Sequence, residues 1–168
     1  MNHALRARCL RGWLAAAAIA ALPACQREPA PQELTARSRN ESNVAVGMRD
    51  GFVLRADVYR PEGAGPFPVL VYRTPYGKHD AAQDYHTHLE GVKRGYVVVL
   101  QDVRGRYASD GTFTPYRNEG ADGYDTIEWA AQLPGANRRV GMYGFSYAGA
   151  TQLMPATLRP PSLVTICP

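Results

Sequence analysis

Val140-Gly-Met-Tyr-Gly-Phe-Ser-Tyr-Ala-Gly149 is the stretch that organises this chain. A short β-like run, Val140 to Tyr143, leads into GFSYAG, and a segment able to form a helix follows. That order reads as strand, tight turn with Ser146 at its tip, helix. A serine so placed lifts its Oγ clear of a sheet and sets it beside amides at a helix N-terminus. An acyl-transfer nucleophile needs that exposure, because its oxyanion must find donors at once. Small residues suit the turn, since the serine backbone is strained and its neighbours approach closely. Gly144 lies two before Ser146, but Ala148 lies two after it and Gly149 three after. The pattern is G-x-S-Y-x-G, not the strict G-x-S-x-G. On the hexapeptide alone, an ordinary Gly/Ser turn between strand and helix remains open.

Around this stretch the chain has 168 residues, 45% hydrophobic and 20% charged. That suffices for one domain with a sizeable core and is not a disordered composition. The formal net charge is +4, and three of those charges are Arg6, Arg8 and Arg11 in a leader without acids. No basic stripe with interleaved aromatics appears, so nucleic acid is not an expected partner.

Residues 1–24 read as an export signal. The arginines precede an alanine-rich apolar run, Trp13 to Leu22, about half the ~20 residues needed to span a bilayer. Leu22-Pro-Ala-Cys25 follows and resembles a bacterial lipobox, with Pro23 unusual in it. On this reading Cys25 is the lipidated N-terminus and the protein is membrane-anchored in the periplasm or cell envelope. A plain signal peptide cut nearby is the competing reading. Cys9 leaves with the leader and only Cys167 then remains, so no disulfide framework is expected. Residues 25–43 read as a polar tether with Pro29 and Pro31.

The domain is expected over 44–168. Val44 to Met48 and Phe52 to Tyr59 read as strands joined through Asp50-Gly51. Phe67 to Arg73 is a third strand, with the continuous apolar centre of a sheet covered on both faces. TPYGK, Thr74 to Lys78, follows as a loop. A helix is expected over Asp80 to Lys93, a strand over Tyr96 to Gln101, a polar loop through Gly111, and a helix over Glu119 to Leu133. Strands at Val140 to Tyr143 and Leu163 to Cys167 bring the count to about six. Strands alternating with helices imply an α/β fold with a mostly parallel, doubly wound sheet.

Other chemistry-bearing groups read blandly. His79, His86 and His88 do not stack on one helical face, so a solvated helix is expected there and not a zinc site. Glu119, Asp122, Asp125 and Glu128 read as a wet helix face. Arg104 and Arg106 either brace their loop or meet a substrate acid. Taken alone, Tyr76 is a surface loop tyrosine.

Four ordered blocks change that balance: RTPYGK (73–78), QDVRGRYASDGTF (101–113), EGADGYDTIEWAAQLPGANRRVGMYGFSYAG (119–149) and PPSLVTICP (160–168). Together they resemble the CocE/NonD hydrolases, which include cocaine esterases, α-amino acid ester hydrolases, glutaryl-cephalosporin acylases and Xaa-Pro dipeptidyl-peptidases. The resemblance implies an incomplete α/β-hydrolase domain that cleaves a small-molecule ester or amide through an acyl-serine. It implies no cofactor or metal. By resemblance, Ser146 is the nucleophile, the amide of Tyr147 is one oxyanion donor, and the hydroxyl of Tyr76 is the second.

Departures from the family pattern carry expectations of their own. Arg138 stands where the family has a turn glycine. Pro155 falls inside the helix after Ser146, which is expected to kink or end there. The triad order of the fold is Ser, acid, His, and neither a carboxylate nor a histidine follows Ser146 in these 168 residues. The reading is therefore the first part of a hydrolase, inactive on its own. The alternative is a non-catalytic remnant or binding protein from a truncated gene. Oligomeric state is not legible.

The lipobox generates a first prediction. Labelled palmitate fed to expressing cells enters the wild-type chain and not Cys25→Ser. Equal labelling of both contradicts the anchor.

Overall fold

The computed structural model describes residues 39–168, so the leader, Cys25 and most of the expected tether lie outside the described residues. Six strands form one sheet: β1 Arg39–Gly47, β2 Val53–Arg60, β3 Phe67–Thr74, β4 Val97–Asp102, β5 Ala136–Tyr143 and β6 Leu163–Cys167. Their order is β1-β2-β4-β3-β5-β6. The β1/β2 and β2/β4 pairs are antiparallel, and the β4/β3, β3/β5 and β5/β6 pairs are parallel. β1 starts five residues before Val44, so the strand reaches into the segment read as tether.

Alternation along β3 and β4 builds the two halves of the core. Val69, Val71, Val97 and Val99 face Ile127, Ala130 and Ala131 of helix α3, Glu119–Ala131. Val98, Leu100 and Tyr72 face the other way, toward Ala82 of helix α1, Lys78–Tyr85, and Val92 of helix α2, Thr87–Lys93. Both faces are covered, which is why these strands read as unbroken apolar runs. Helix α4, Tyr147–Thr157, packs beside α3.

The single helix expected over Asp80 to Lys93 is two. His86 adopts φ 48° and breaks it. α2 then lies so close to β4 that a Cβ on Gly91 would stand 2.7 Å from Val98 Cγ2. His88 is buried against the Tyr59 ring at 4.4 Å, not solvated. Burial pushes its pKa down to about 4, so it is neutral at ordinary pH.

Pro155 stands inside α4, which continues to Thr157. The ring packs where α3 has no side chain: a Cβ on Gly123 would be 2.7 Å from Pro155 Cγ. The helix thus ends two residues after the proline, and the ring fills a helix-helix contact.

Arg138 stands in a bulge of β5. Pairing passes from Phe67↔Ala136 to Val69↔Val140, so β5 takes four steps where β3 takes two. In that bulge Arg138 has φ 63°, a left-handed position that favours glycine. Left-handed backbone costs an L-residue about 1–2 kcal/mol, against about 0.4–1 kcal/mol that glycine forfeits through a freer unfolded chain. Arg138→Gly should therefore stabilise the protein by about 0.5–1 kcal/mol in urea melts. Arg138→Ala should give no such gain. An equal gain from alanine would place the cost in the arginine side chain and not in the backbone.

Candidate active site

Ser146 stands at the C-terminal end of β5 as the N-cap of α4, with φ 58° and ψ −124°. An L-residue rarely adopts that backbone, which costs about 1–3 kcal/mol and persists only where the surroundings enforce it. The residue is exposed. The carbonyl of Ser146 accepts from the amides of Gly149 (3.0 Å) and Ala150 (3.1 Å), which closes the first helical turn over the serine. Gly144 has φ 132°, and a Cβ there would lie 2.7 Å from Ala148 Cβ and 2.8 Å from Tyr72 Cε2. Glycine is thus required at 144. A Cβ on Gly149 would sit 3.6 Å from Gly144 O, an ordinary contact. This explains how the motif carries alanine at 148: that methyl occupies the space which Gly144 leaves free.

Tyr76 lies across a cleft of about 300 Å³ that Ser146 also lines, with Thr74, Asp80 and Phe145. The residue is 56% exposed. Its backbone is fixed on several sides. Tyr76 N–H donates to Thr74 Oγ1 (3.0 Å), Tyr107 Oη donates to Tyr76 O (2.8 Å), and Arg106 Nε donates to Pro75 O (2.8 Å). Lys78 donates to both Asp102 oxygens, from N–H to Oδ1 at 2.8 Å and from Nζ to Oδ2 at 3.0 Å. Gly77 at φ 100° passes under Tyr107, 3.0 Å from where its Cβ would stand. The TPYGK loop is therefore bolted to the loop after β4, and the phenol of Tyr76 projects from a rigid base.

Tyr147, the residue after the serine, points the other way, into the protein. Its hydroxyl donates to Glu119 Oε1 (3.0 Å) and accepts from Tyr116 N–H (3.0 Å). Its ring stacks on Tyr116 at 4.7 Å and meets Tyr76 edge-on at 6.4 Å. Burial first, then the charge of Glu119, pushes the phenol up to about 12, so it keeps its proton.

Of the four α3 acids, Asp125 and Glu128 are half-exposed, but Glu119 and Asp122 are not on a wet face. Glu119 is 3% and Asp122 1% exposed. Glu119 Oε2 lies 3.0 Å from Nη1 of Arg73, which is fully buried. Asp122 takes Arg104 through Nη2 (2.6 Å) and Nε (2.9 Å). Arg104 also reaches Asp50 at 2.7 Å, and these carboxylates raise its pKa, the Asp122 hydrogen bond first. Asp125 pairs with Arg49 at 2.6 Å, and Glu128 accepts from Ser162 at 2.9 Å. Arg104 and Arg106 thus both brace their loop. The reason is spatial: the partners come from β3 and from loops distant in sequence, so helical spacing alone could not reveal them. Arg73 carried a signal, since it continues the inward register of Val69 and Val71. Gly123 carried another, as a glycine mid-helix that needed a packing reason.

Ser146, Tyr147 and Tyr76 are thus brought together, and His79, His86 and His88 are not. No hydrogen bond joins a histidine to Ser146 among the described residues. Among those residues, no group of three or more His, Cys, Asp and Glu could hold a metal ion, and no helix is long and apolar enough to cross a membrane.

Comparison with known proteins gives a consistent picture. The family described as X-Pro dipeptidyl-peptidase (S15 family) matches residues 50–168. The cocaine esterase of Rhodococcus sp. (strain MB1 Bresler) is 44% identical over 130 residues, covering 76% of this chain and 23% of that protein. Among solved structures, an α-amino acid ester hydrolase superposes with a TM-score of 0.72 at 28% identity, covering 88% of this chain and 28% of its own. A CocE/NonD family hydrolase from Staphylococcus aureus gives 0.70 at 32% identity, covering 77% and 27%. The fold is that of an α/β-hydrolase. The chain spans about a quarter of the length of these relatives.

Proposed function

From a chain that belongs to the X-Pro dipeptidyl-peptidase (S15) family, we propose a serine acyl hydrolase of the CocE type, acting on an ester or amide through an acyl-serine. The observation that carries this reading is Ser146, exposed on a strained turn at a helix N-terminus, with Tyr76 lining the same cleft.

Ser146 Oγ attacks the acyl carbon and gives its proton to a base. The negative charge that develops on the carbonyl oxygen is met by the Tyr147 amide, one of the first-turn amides that helix geometry leaves without an intrahelical partner. The Tyr76 hydroxyl is the second donor, a neutral phenol on a preorganised loop. The tetrahedral adduct collapses, the C–O or C–N bond breaks, and the leaving group takes the proton. Water then attacks the acyl-serine by the same route. In this fold the acid and the histidine base follow the nucleophile in chain order, so they belong to the remainder of a complete hydrolase. Without a base, a serine hydroxyl is a poor nucleophile at neutral pH. The acyl donor, and a cell-envelope location through lipid on Cys25, are part of the same proposal.

The test uses residues 39–168 joined to the remainder of the Rhodococcus cocaine esterase relative, assayed with activated aryl esters. Ser146→Ala should abolish the burst and leave turnover at the residual given by binding alone. Tyr76→Phe should lower kcat by ~10²–10³-fold with KM little changed, because the hydroxyl acts on the transition state. A burst that survives Ser146→Ala overturns the nucleophile. A Tyr76→Phe effect confined to KM makes Tyr76 a substrate contact instead.

A further inference from the structure

We infer that the Tyr147 side chain is a positioning residue: through Glu119 it fixes the direction of its own backbone amide and holds the Ser146 turn. This rests on the reading of that amide as an oxyanion donor.

The Ser146 backbone must be held from both sides to stay at φ 58°. On the upstream side, Gln152 Nε2 donates to Gly144 O at 2.8 Å, and Gly144 N–H reaches Cys167 O at 3.3 Å. On the downstream side the amides of Gly149 and Ala150 hold Ser146 O, and the side-chain anchor is the Tyr147 phenol. It is bonded at both its donor and its acceptor positions, to Glu119 Oε1 and Tyr116 N–H, each at 3.0 Å. Its ring stacks on Tyr116 (4.7 Å) and meets Phe113 at a tilt (6.0 Å). Glu119 is itself buried and ion-paired to a guanidinium that is fully buried in β3. Turning the Tyr147 peptide would swing the ring out of its stack and break two hydrogen bonds. The amide is therefore aimed by a rigid strand on the far side of the helix.

A phenylalanine would fill the same volume. It would leave Glu119 Oε1 and Tyr116 N–H without this partner, and it would free the first residue of α4 to rock. The hydroxyl is thus the part that does the aiming, through its two hydrogen bonds.

The experiment is Tyr147→Phe in the completed enzyme described above, with active sites counted by the burst. The expected result is kcat per active site lower by ~10–100-fold, with KM for the same ester within about twofold, since a misdirected donor loses part of what a deleted one would. A purely structural tyrosine would lower the melting temperature and the count of active sites and leave kcat per site unchanged, which overturns the inference. A second readout does not need turnover. Hydrogen exchange at Gly149 and Ala150, whose amides bond to Ser146 O, should rise at least ~10-fold in Tyr147→Phe while β4 amides stay as in wild type. Unchanged exchange at 149 and 150 overturns the tether. If Ser146→Ala keeps full turnover, the hydrolase reading fails, and the exchange experiment still decides the tether.

Discussion

Arg73 is a fully buried guanidinium at the end of the central strand β3, and its pairing with Glu119 constrains everything around it. Taking two charges out of water is costly, and only close geometry with further hydrogen bonds offsets that cost. Here Arg73 Nε donates to Gln101 Oε1 at 2.7 Å, and Nη1 lies 3.2 Å from Glu119 O. Gln101 Oε1 also accepts from Thr126 Oγ1 at 3.0 Å. One cation therefore ties the ends of β3 and β4 to the first two turns of α3. The absent Cβ of Gly123 lets Pro155 of α4 close over it, with Arg73 Nη1 3.1 Å from where that Cβ would be.

Two neighbouring rungs of the β3/β4 ladder divide the work. Arg73↔Gln101 faces α3 and, through Glu119, reaches Tyr147. Thr74↔Asp102, the next rung, points to the opposite face because side chains alternate along a strand. There Asp102 holds Lys78 and, with it, the loop that carries Tyr76. Lys78 Nζ also reaches Asn43 at 2.9 Å, so β1 is drawn into the same set of contacts. Each candidate oxyanion donor is thus held by its own polar relay, one on each face of the sheet. The serine turn lies between them.

Strand content, the Asp50-Gly51 turn and the strand-serine-helix unit were all legible, because they follow from period-two runs and small residues at fixed offsets. The blocks around RTPYGK and GFSYAG made the family legible as well. The polar interior was not. Helical spacing marks Glu119 and Asp122 as a polar face, but whether such a face is wet depends on what stands opposite. Arg73 and Arg104 arrive there by topology, 46 and 18 residues away along the chain. The break at His86 was equally hidden, since neither glycine nor proline marks it. Arg138 drew notice only as a departure from a family glycine; its left-handed backbone and the bulge around it were not legible.

The central claim is that the Arg73–Glu119 pair, and not either residue alone, locks the sheet to α3 beneath the serine. A double-mutant cycle in urea unfolding tests it most directly. Arg73→Met and Glu119→Met should each cost about 3–5 kcal/mol, because each strands an uncompensated buried charge. The double variant should recover most of that loss, which is a large coupling energy. Additive losses, with the double variant as unstable as the two singles summed, would contradict the account.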